Sequence, residues 1–117
     1  SLLKSGAVVI NGTDVPVEPI NPIASFFASV TRQTLKGEPK GGYEPAEKMT
    51  RAQALRSYTL DAAFGAFEEK IKGSITPGKL ADFTVFSKDI MTVPDSEILS
   101  TEVAMTILGG KVLYEKK

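Results

Sequence analysis

The 117 residues include no histidine and no cysteine. Without histidine the chain can form neither a Ser–His nor a Cys–His dyad, and it lacks the imidazole ligands that dominate catalytic zinc sites. Without cysteine there are no disulfides, thiolate nucleophiles or Cys-type structural zinc, although this says little about redox compartment. A net charge is missing too. Fourteen basic and fourteen acidic residues cancel, leaving no electrostatic footprint for nucleic acid or an anionic membrane, so both are discounted as partners. No apolar run approaches the ~20 residues that span a bilayer, and Ser1–Gly6 carries neither a signal-type apolar core nor a cleavage pattern. The expected location is therefore the cytoplasm. Internal repeats and low-complexity tracts are also absent. What is present, 42% apolar and 24% charged residues, is ordinary for one modest globular domain.

The most informative stretch is Ala7 to Pro22, AVVINGTDVPVEPINP. Ala7 to Ile10 is a continuous apolar run, the pattern of a parallel strand buried on both faces. It gives way to Asn11-Gly12-Thr13-Asp14, so a carboxylate stands where strand passes into loop. In α/β folds that junction is where chemistry is placed, because the strand fixes the side chain and the loop admits ligand. A second reading has Asp14 capping a turn, its side chain accepting backbone N–H groups ahead of Pro16. Pro16 and Pro19 preclude helix and remove ladder donors, so the chain beyond Asp14 is expected to be a stiff extended loop.

Upstream, Ser1–Lys4 reads as the tail of a helix closed by Gly6. Downstream, Asn21-Pro22 is an N-cap and N1 pair, and Ile23, Phe26, Phe27 and Val30 recur at helical spacing, predicting a helix from Pro22 to about Gln33. Phe26 and Phe27 read as core rather than pocket lining. Leu35–Lys48, rich in glycine and proline, has the length of a lid, a binding loop or a disordered segment. Its Gly41-Gly42 lacks the spacing and preceding strand of a phosphate loop, and Tyr43 could stack on a substrate. Thr50-Arg51-Ala52-Gln53 is a capping box. The helix it opens is expected to run to about Phe67 on a stripe that includes Leu55, Tyr58, Ala63 and Phe67, with Tyr58 a core residue and Thr59 bonded back to its own helix.

From Gly73 the period changes. Pro77-Gly78 signals a turn, Leu80–Ser87 alternates as a strand, and Asp95 or Ser96 could cap a single helical turn. Val103–Leu108, Gly109-Gly110 and Lys111–Tyr114 make a hairpin with a two-residue turn. Residues 73–117 thus read as a small antiparallel unit of three or four strands. Asp82 sits in a strand-and-turn context that explains it structurally, and it and Asp89 both stay out of the candidate site.

Three segments, in order, resemble one family. Asn11-Gly12-Thr13-Asp14-Val15-Pro16-Val17-Glu18-Pro19-Ile20-Asn21-Pro22 is similar to the segment after the last barrel strand in amidohydrolase-superfamily hydrolases, in the branch called amidohydrolase family 3 or YtcJ-like. Met49–Ala63 resembles that family's late helix, and Gly73-Ser74-Ile75-Thr76-Pro77-Gly78-Lys79-Leu80-Ala81-Asp82-Phe83 its re-entry into a small β-domain. The family usually reads Gly-Ser-Asp where Gly12-Thr13-Asp14 stands, a change that keeps the hydroxyl and the carboxylate.

The resemblance implies an α/β parent, a TIM barrel, of which this chain would be a mixed α+β C-terminal part. Residues 1–72 would supply the last barrel strand and two main helices of a (β/α)8 barrel, and residues 73–117 the closing strands of the small β-domain. It implies a divalent metal, zinc, held mostly by histidines on earlier strands with a Glu or a carboxylated Lys, and completed by Asp14 as ligand and proton acceptor. Pro16, Val17, Glu18 and Asn21 become candidate substrate-binding residues, and the Tyr43 loop would border the active-site mouth. The reaction implied is hydrolysis of an amide-like C–N bond in a small molecule. With no histidine, the separate chain is expected to hold no metal and to be inactive, its partner being the remainder of the barrel, since barrels run to about 250 residues. The alternative is a non-catalytic interaction or subunit module that completes a barrel with another chain, or self-associates through unpaired strand edges.

Overall fold

A computed structural model describes residues 2–117. Ser1, where the expected helix tail starts, lies outside the described residues; Leu3–Ser5 forms one 3-10 turn closed by Gly6 at φ +83°. Helix α1, Pro22–Thr31, begins as its chemistry requires: Asn21 Oδ1 accepts the Ile23 N–H at 3.0 Å, satisfying one orphan donor, and proline takes N1. It ends at Arg32, φ +54°, slightly short of Gln33. Ile23, Phe26, Phe27, Val30 and Thr31 form its buried face, so both phenylalanines are core.

Helix α2, Arg51–Tyr58, carries both halves of the capping box: Gln53 N–H to Thr50 Oγ1 at 3.2 Å and Thr50 N–H to Gln53 Oε1 at 2.8 Å. The single helix expected to Phe67 is instead broken at Thr59, φ −121° and ψ −91°, and resumes as α3, Leu60–Gly65. Thr59 is bonded back as expected, its hydroxyl donating to Leu55 O at 2.8 Å. Such a bond competes with the helix ladder and bends it. Arg56 Nε donates to Asp61 Oδ1 at 2.7 Å across the break. The buried residues of α2 are Ala54 and Ser57, whereas Leu55 of the expected stripe is exposed, and Phe67, beyond α3, is 93% exposed at φ +59°.

Strands β1, Phe83–Phe86, β2, Val103–Leu108, and β3, Lys111–Glu115, form an antiparallel sheet in the order β1-β2-β3. Gly109 and Gly110 turn the hairpin at φ +56° and +79°, a pair of values that a primed turn needs and glycine supplies without strain. Asp82 Oδ1 accepts the Gly109 N–H at 2.8 Å, which accounts for that carboxylate structurally, and Asp89 Oδ1 likewise accepts the Met91 N–H at 2.9 Å. Between β1 and β2 the chain makes one helical turn, α4, Asp95–Ile98. Its Ile98, with Ile90, joins Ile23, Phe26, Phe27, Val30 and Ala54 in one buried cluster, against which Met49, Tyr58, Phe86 and Val93 pack. The core is therefore built from α1, α2 and the β1–β2 connection.

The strand expected over Ala7–Asn11 does not form. Residues 7–13 join no sheet among the described residues, and a strand exists only through a ladder partner, which these residues lack. Nor are both faces buried: Val9, Asn11 and Thr13 are half-buried, whereas Val8, Ile10 and Gly12 are exposed. That is the period of two of an extended chain lying on one supporting surface. Val9, Asn11 and Thr13 turn towards the helices, and Ile10 leans on Gly65 of α3.

Residues 32–48 are an internally braced turn system. Arg32 and Tyr43 bond reciprocally, Tyr43 N–H to Arg32 O at 2.8 Å and Arg32 Nε to Tyr43 O at 2.7 Å, and the guanidinium lies 5.7 Å from the tyrosine ring centre. Gln33 Nε2 donates to Gly37 O at 2.8 Å and Pro39 O at 3.1 Å. Gly42 makes the closure possible, because at φ +84° a Cβ there would meet Thr31 O at 2.2 Å. Gly41, at φ +81°, has open space instead. Gly41→Ala should therefore cost about 1 kcal/mol, the left-handed penalty alone, and Gly42→Ala about 3 kcal/mol or more, since backbone must move as well. Urea unfolding of the two variants checks this; equal losses would contradict the close approach.

Candidate functional site

The segment that presents Asp14 is attached to the helices through Asn11. Its main-chain N–H donates to Ser57 O at 3.0 Å. Ser57 lies in the last turn of α2, where carbonyls have no intrahelical donor, so this bond satisfies an orphan acceptor. The Asn11 side-chain Nδ2 donates to Ser57 Oγ at 3.0 Å and to Ser29 Oγ on α1 at 3.3 Å, with Met49 Sδ at 3.9 Å. Ser57 is 1% exposed. Sequence reasoning missed this anchor. Its only signal was a polar residue ending an apolar run, opposite serines on otherwise apolar helix faces.

Beyond it, Asp14 is exposed and sits at φ +52°. Its carbonyl oxygen accepts the Val17 N–H at 2.8 Å, closing a tight turn that contains a cis Val15–Pro16 bond. The turn expected at Asp14 thus exists, but the main chain makes it. Among the described residues the Asp14 carboxylate has no hydrogen bond or ion pair. Pro16, Val17 and Glu18 are likewise exposed on the same loop, while Asn21 commits its Oδ1 to the α1 cap and keeps Nδ2 free. The sequence-predicted residues thus share the one loop that runs from Asn11 to the start of α1.

Arg32, Glu44, Glu47 and Met49 border a shallow cleft of about 660 Å³ with Leu3 and Val9, upstream of Asp14. A wider, largely apolar cleft of about 740 Å³ lies between helices and sheet, lined by Phe26, Leu55, Tyr58, Phe83 and Ile107 among others. Asp14 borders neither.

No three His, Cys, Asp or Glu side chains gather among the described residues in a way that could hold a metal. Catalytic zinc takes three protein ligands. Asp14, a free carboxylate on an exposed turn, fits such an ion as one ligand of a shared centre and not as a site by itself.

The model of the amidohydrolase family matches residues 1–114. Among curated proteins the chain is 29% identical over 116 residues to YtcJ of Bacillus subtilis (strain 168), named as an amidohydrolase, covering 99% of this chain and 22% of that protein. It is 37% identical over 114 residues to the protein LONG AFTER FAR-RED 3 of Arabidopsis thaliana, 97% of this chain and 19% of that one. To the N-substituted formamide deformylase of Arthrobacter pascens it is 31% identical over 116 residues, 99% and 21% respectively. An amidohydrolase crystal structure from Thermotoga maritima MSB8 superposes with a TM-score of 0.67 at 23% identity, covering 98% of this chain and 25% of that one. That likeness shows a shared fold. The chain spans about a fifth of the length of the curated relatives.

A carboxylate in left-handed backbone with nothing bonded to it does no work for the fold. Asp14→Gly should leave stability within about 0.5 kcal/mol, because relief of the left-handed backbone offsets the added freedom of the unfolded chain. Thermal unfolding of the 117-residue chain measures it. A clear loss would mean that Asp14 has a structural role.

Proposed function

Since the chain belongs to the amidohydrolase family, we propose that it forms the C-terminal part of a metal-dependent hydrolase of amide-like C–N bonds, to whose active site it contributes Asp14. In this reading residues 1–72 close a (β/α)8 barrel and residues 73–117 complete the small β-domain. The observation that carries it is the exposed Asp14 carboxylate, without a partner among the described residues, held at φ +52° on a turn just beyond an apolar segment that joins no sheet among them. Two comparisons support the chemistry: the family match over residues 1–114, and the relative named for deformylating N-substituted formamides. Amidohydrolases in general depend on a metal.

A divalent metal, zinc in this reading, when bound polarises the acyl oxygen and brings the pKa of water to about 7. The remaining ligands lie on chain outside these residues. Asp14 holds a proton: one carboxylate oxygen accepts it from the attacking water as the C–O bond forms. The same oxygen passes it to the nitrogen as the C–N bond breaks, so the products are a carboxylic acid and an amine. Pro16 and Val17, stiff and exposed beside Asp14, are the surfaces on which the substrate's organic group would rest, with Glu18 and the Asn21 Nδ2 as polar contacts.

A second reading, an interaction or subunit module, draws on the exposure of Val8, Ile10, Val112 and Leu113. Self-association of the separate chain in light scattering, together with the absence of hydrolysis by any longer product of the gene, would favour it. For the enzymatic reading, Asp14→Asn in the full-length gene product should lower kcat/KM on N-acyl or N-formyl amines by about 10³-fold, as loss of a general base does. Wild-type rates in that variant would remove Asp14 from the site.

A further inference from the structure

Asp14 is attached to the rest of the molecule by few bonds. Among the described residues, residues 12–20 make no hydrogen bond to any other part of the chain; the only bond within them is Val17 N–H to Asp14 O. Two fixed points flank the loop. One is Asn21, whose amide caps α1, and the other is Asn11. Asn11 is the nearer, separated from Asp14 by Gly12 and Thr13 alone.

Its grip is specific in direction as well as place. A serine hydroxyl has one proton. Ser57 Oγ donates to Ala54 O at 2.7 Å and Ser29 Oγ donates to Ser25 O at 2.9 Å. Both hydroxyls therefore present lone pairs, and what faces them must donate twice. The Asn11 NH2 does so, reaching one helix with each proton while its main-chain N–H holds Ser57 O. No other side chain of similar size supplies two donors from one planar group without a charge, which this half-buried spot would disfavour. Position and orientation of the segment relative to α1 and α2 are both set at this residue.

We propose that Asn11 is the positioning residue for Asp14: its amide locks the end of the apolar segment to Ser29 and Ser57, and so fixes where the Asp14 carboxylate stands relative to the reacting bond. This rests on the reading of Asp14 as a catalytic residue. Asn11 touches neither substrate nor proton, and it acts through geometry, where a displacement of about 1 Å can cost 10²-fold in rate.

The test uses the full-length gene product and four variants. Asn11→Leu keeps the size and removes both donors; Ser29→Ala removes only the longer bond; Val30→Ala lowers stability from the core without touching the segment; Asp14→Asn reports on the premise. Asn11→Leu should lower kcat about 10- to 100-fold with KM little changed, and Ser29→Ala should lower it by a smaller factor. Val30→Ala should match wild-type kcat below its melting temperature. In metal-free protein, hydrogen exchange at the residue 11 and Val17 amides, the two in this stretch that donate hydrogen bonds, should speed up at least about 10-fold in Asn11→Leu and not in Val30→Ala. If Asn11→Leu fails to fold, Ser29→Ala carries the same comparison. Inactive Asp14→Asn beside an Asn11→Leu with the kcat of Val30→Ala would overturn the positioning role alone, as would unchanged exchange. An active Asp14→Asn would instead sink the functional reading, while the exchange data still decided whether Asn11 holds the loop.

Discussion

The segment that carries the candidate chemistry touches the helices through one residue's polar groups, the main-chain N–H and the side-chain NH2 of Asn11, set against Ser57 and Ser29. Those bonds do what a strand ladder would otherwise do. In an ordinary sheet an apolar run such as Ala7–Ile10 is placed by neighbours on both edges, and no described neighbour exists here. Within the described residues its placement rests on hydrogen bonds to the helices; in the proposed barrel these would tie the segment to the helix layer beside whatever ladder further strands supply. A bond of this kind contributes only about 0.5–1.5 kcal/mol net, but leaving a buried serine lone pair or a helix-end carbonyl without its donor costs more than the bond contributes. That asymmetry makes the register of the segment specific.

The same absence explains the surface. Val8, Ile10, Val112, Leu113 and Phe67 are all at least half exposed, whereas the buried cluster is a small one centred on α1. Each such side chain forgoes about 1.5–3 kcal/mol available on burial. The chain spans about a fifth of the length of its curated relatives, and strand edges left open favour pairing with further strands. Helices and core here serve as a platform, and the turn that carries the candidate residue Asp14 lies beside it.

Local chemistry was readable from the sequence wherever a few neighbouring residues decide it. Asn21-Pro22, the Thr50/Gln53 box, Pro77-Gly78 and Gly109-Gly110 all specify caps or turns by their own donors, acceptors and φ preferences, and each forms. Phe26, Phe27 and Tyr58 were legible as core from helical spacing. What failed depended on distant or missing partners. Periodicity alone cannot reveal the break at Thr59, because the stripe continues in phase on paper while the hydroxyl bends the helix toward Leu55 O. The apolar run 7–10 is strand-like in pattern, yet pairing is a property of two chains segments and not of one. Asp14 was visible as a candidate through its position after that run and its resemblance to a family motif. Asn11 was not, since its role exists only once two helices bring Ser29 and Ser57, far apart in sequence, to the same amide.

The central claim is that this chain supplies one ligand, Asp14, to a metal centre completed by polypeptide outside it. Elemental analysis of metal bound per protein tests that most directly, on the separate 117-residue chain, the full-length gene product and its Asp14→Ala variant, purified side by side. The account predicts a metal-free chain, a full-length protein with stoichiometric divalent metal, zinc foremost, and reduced occupancy in Asp14→Ala. Stoichiometric metal in the separate chain, or full occupancy in Asp14→Ala, would contradict it.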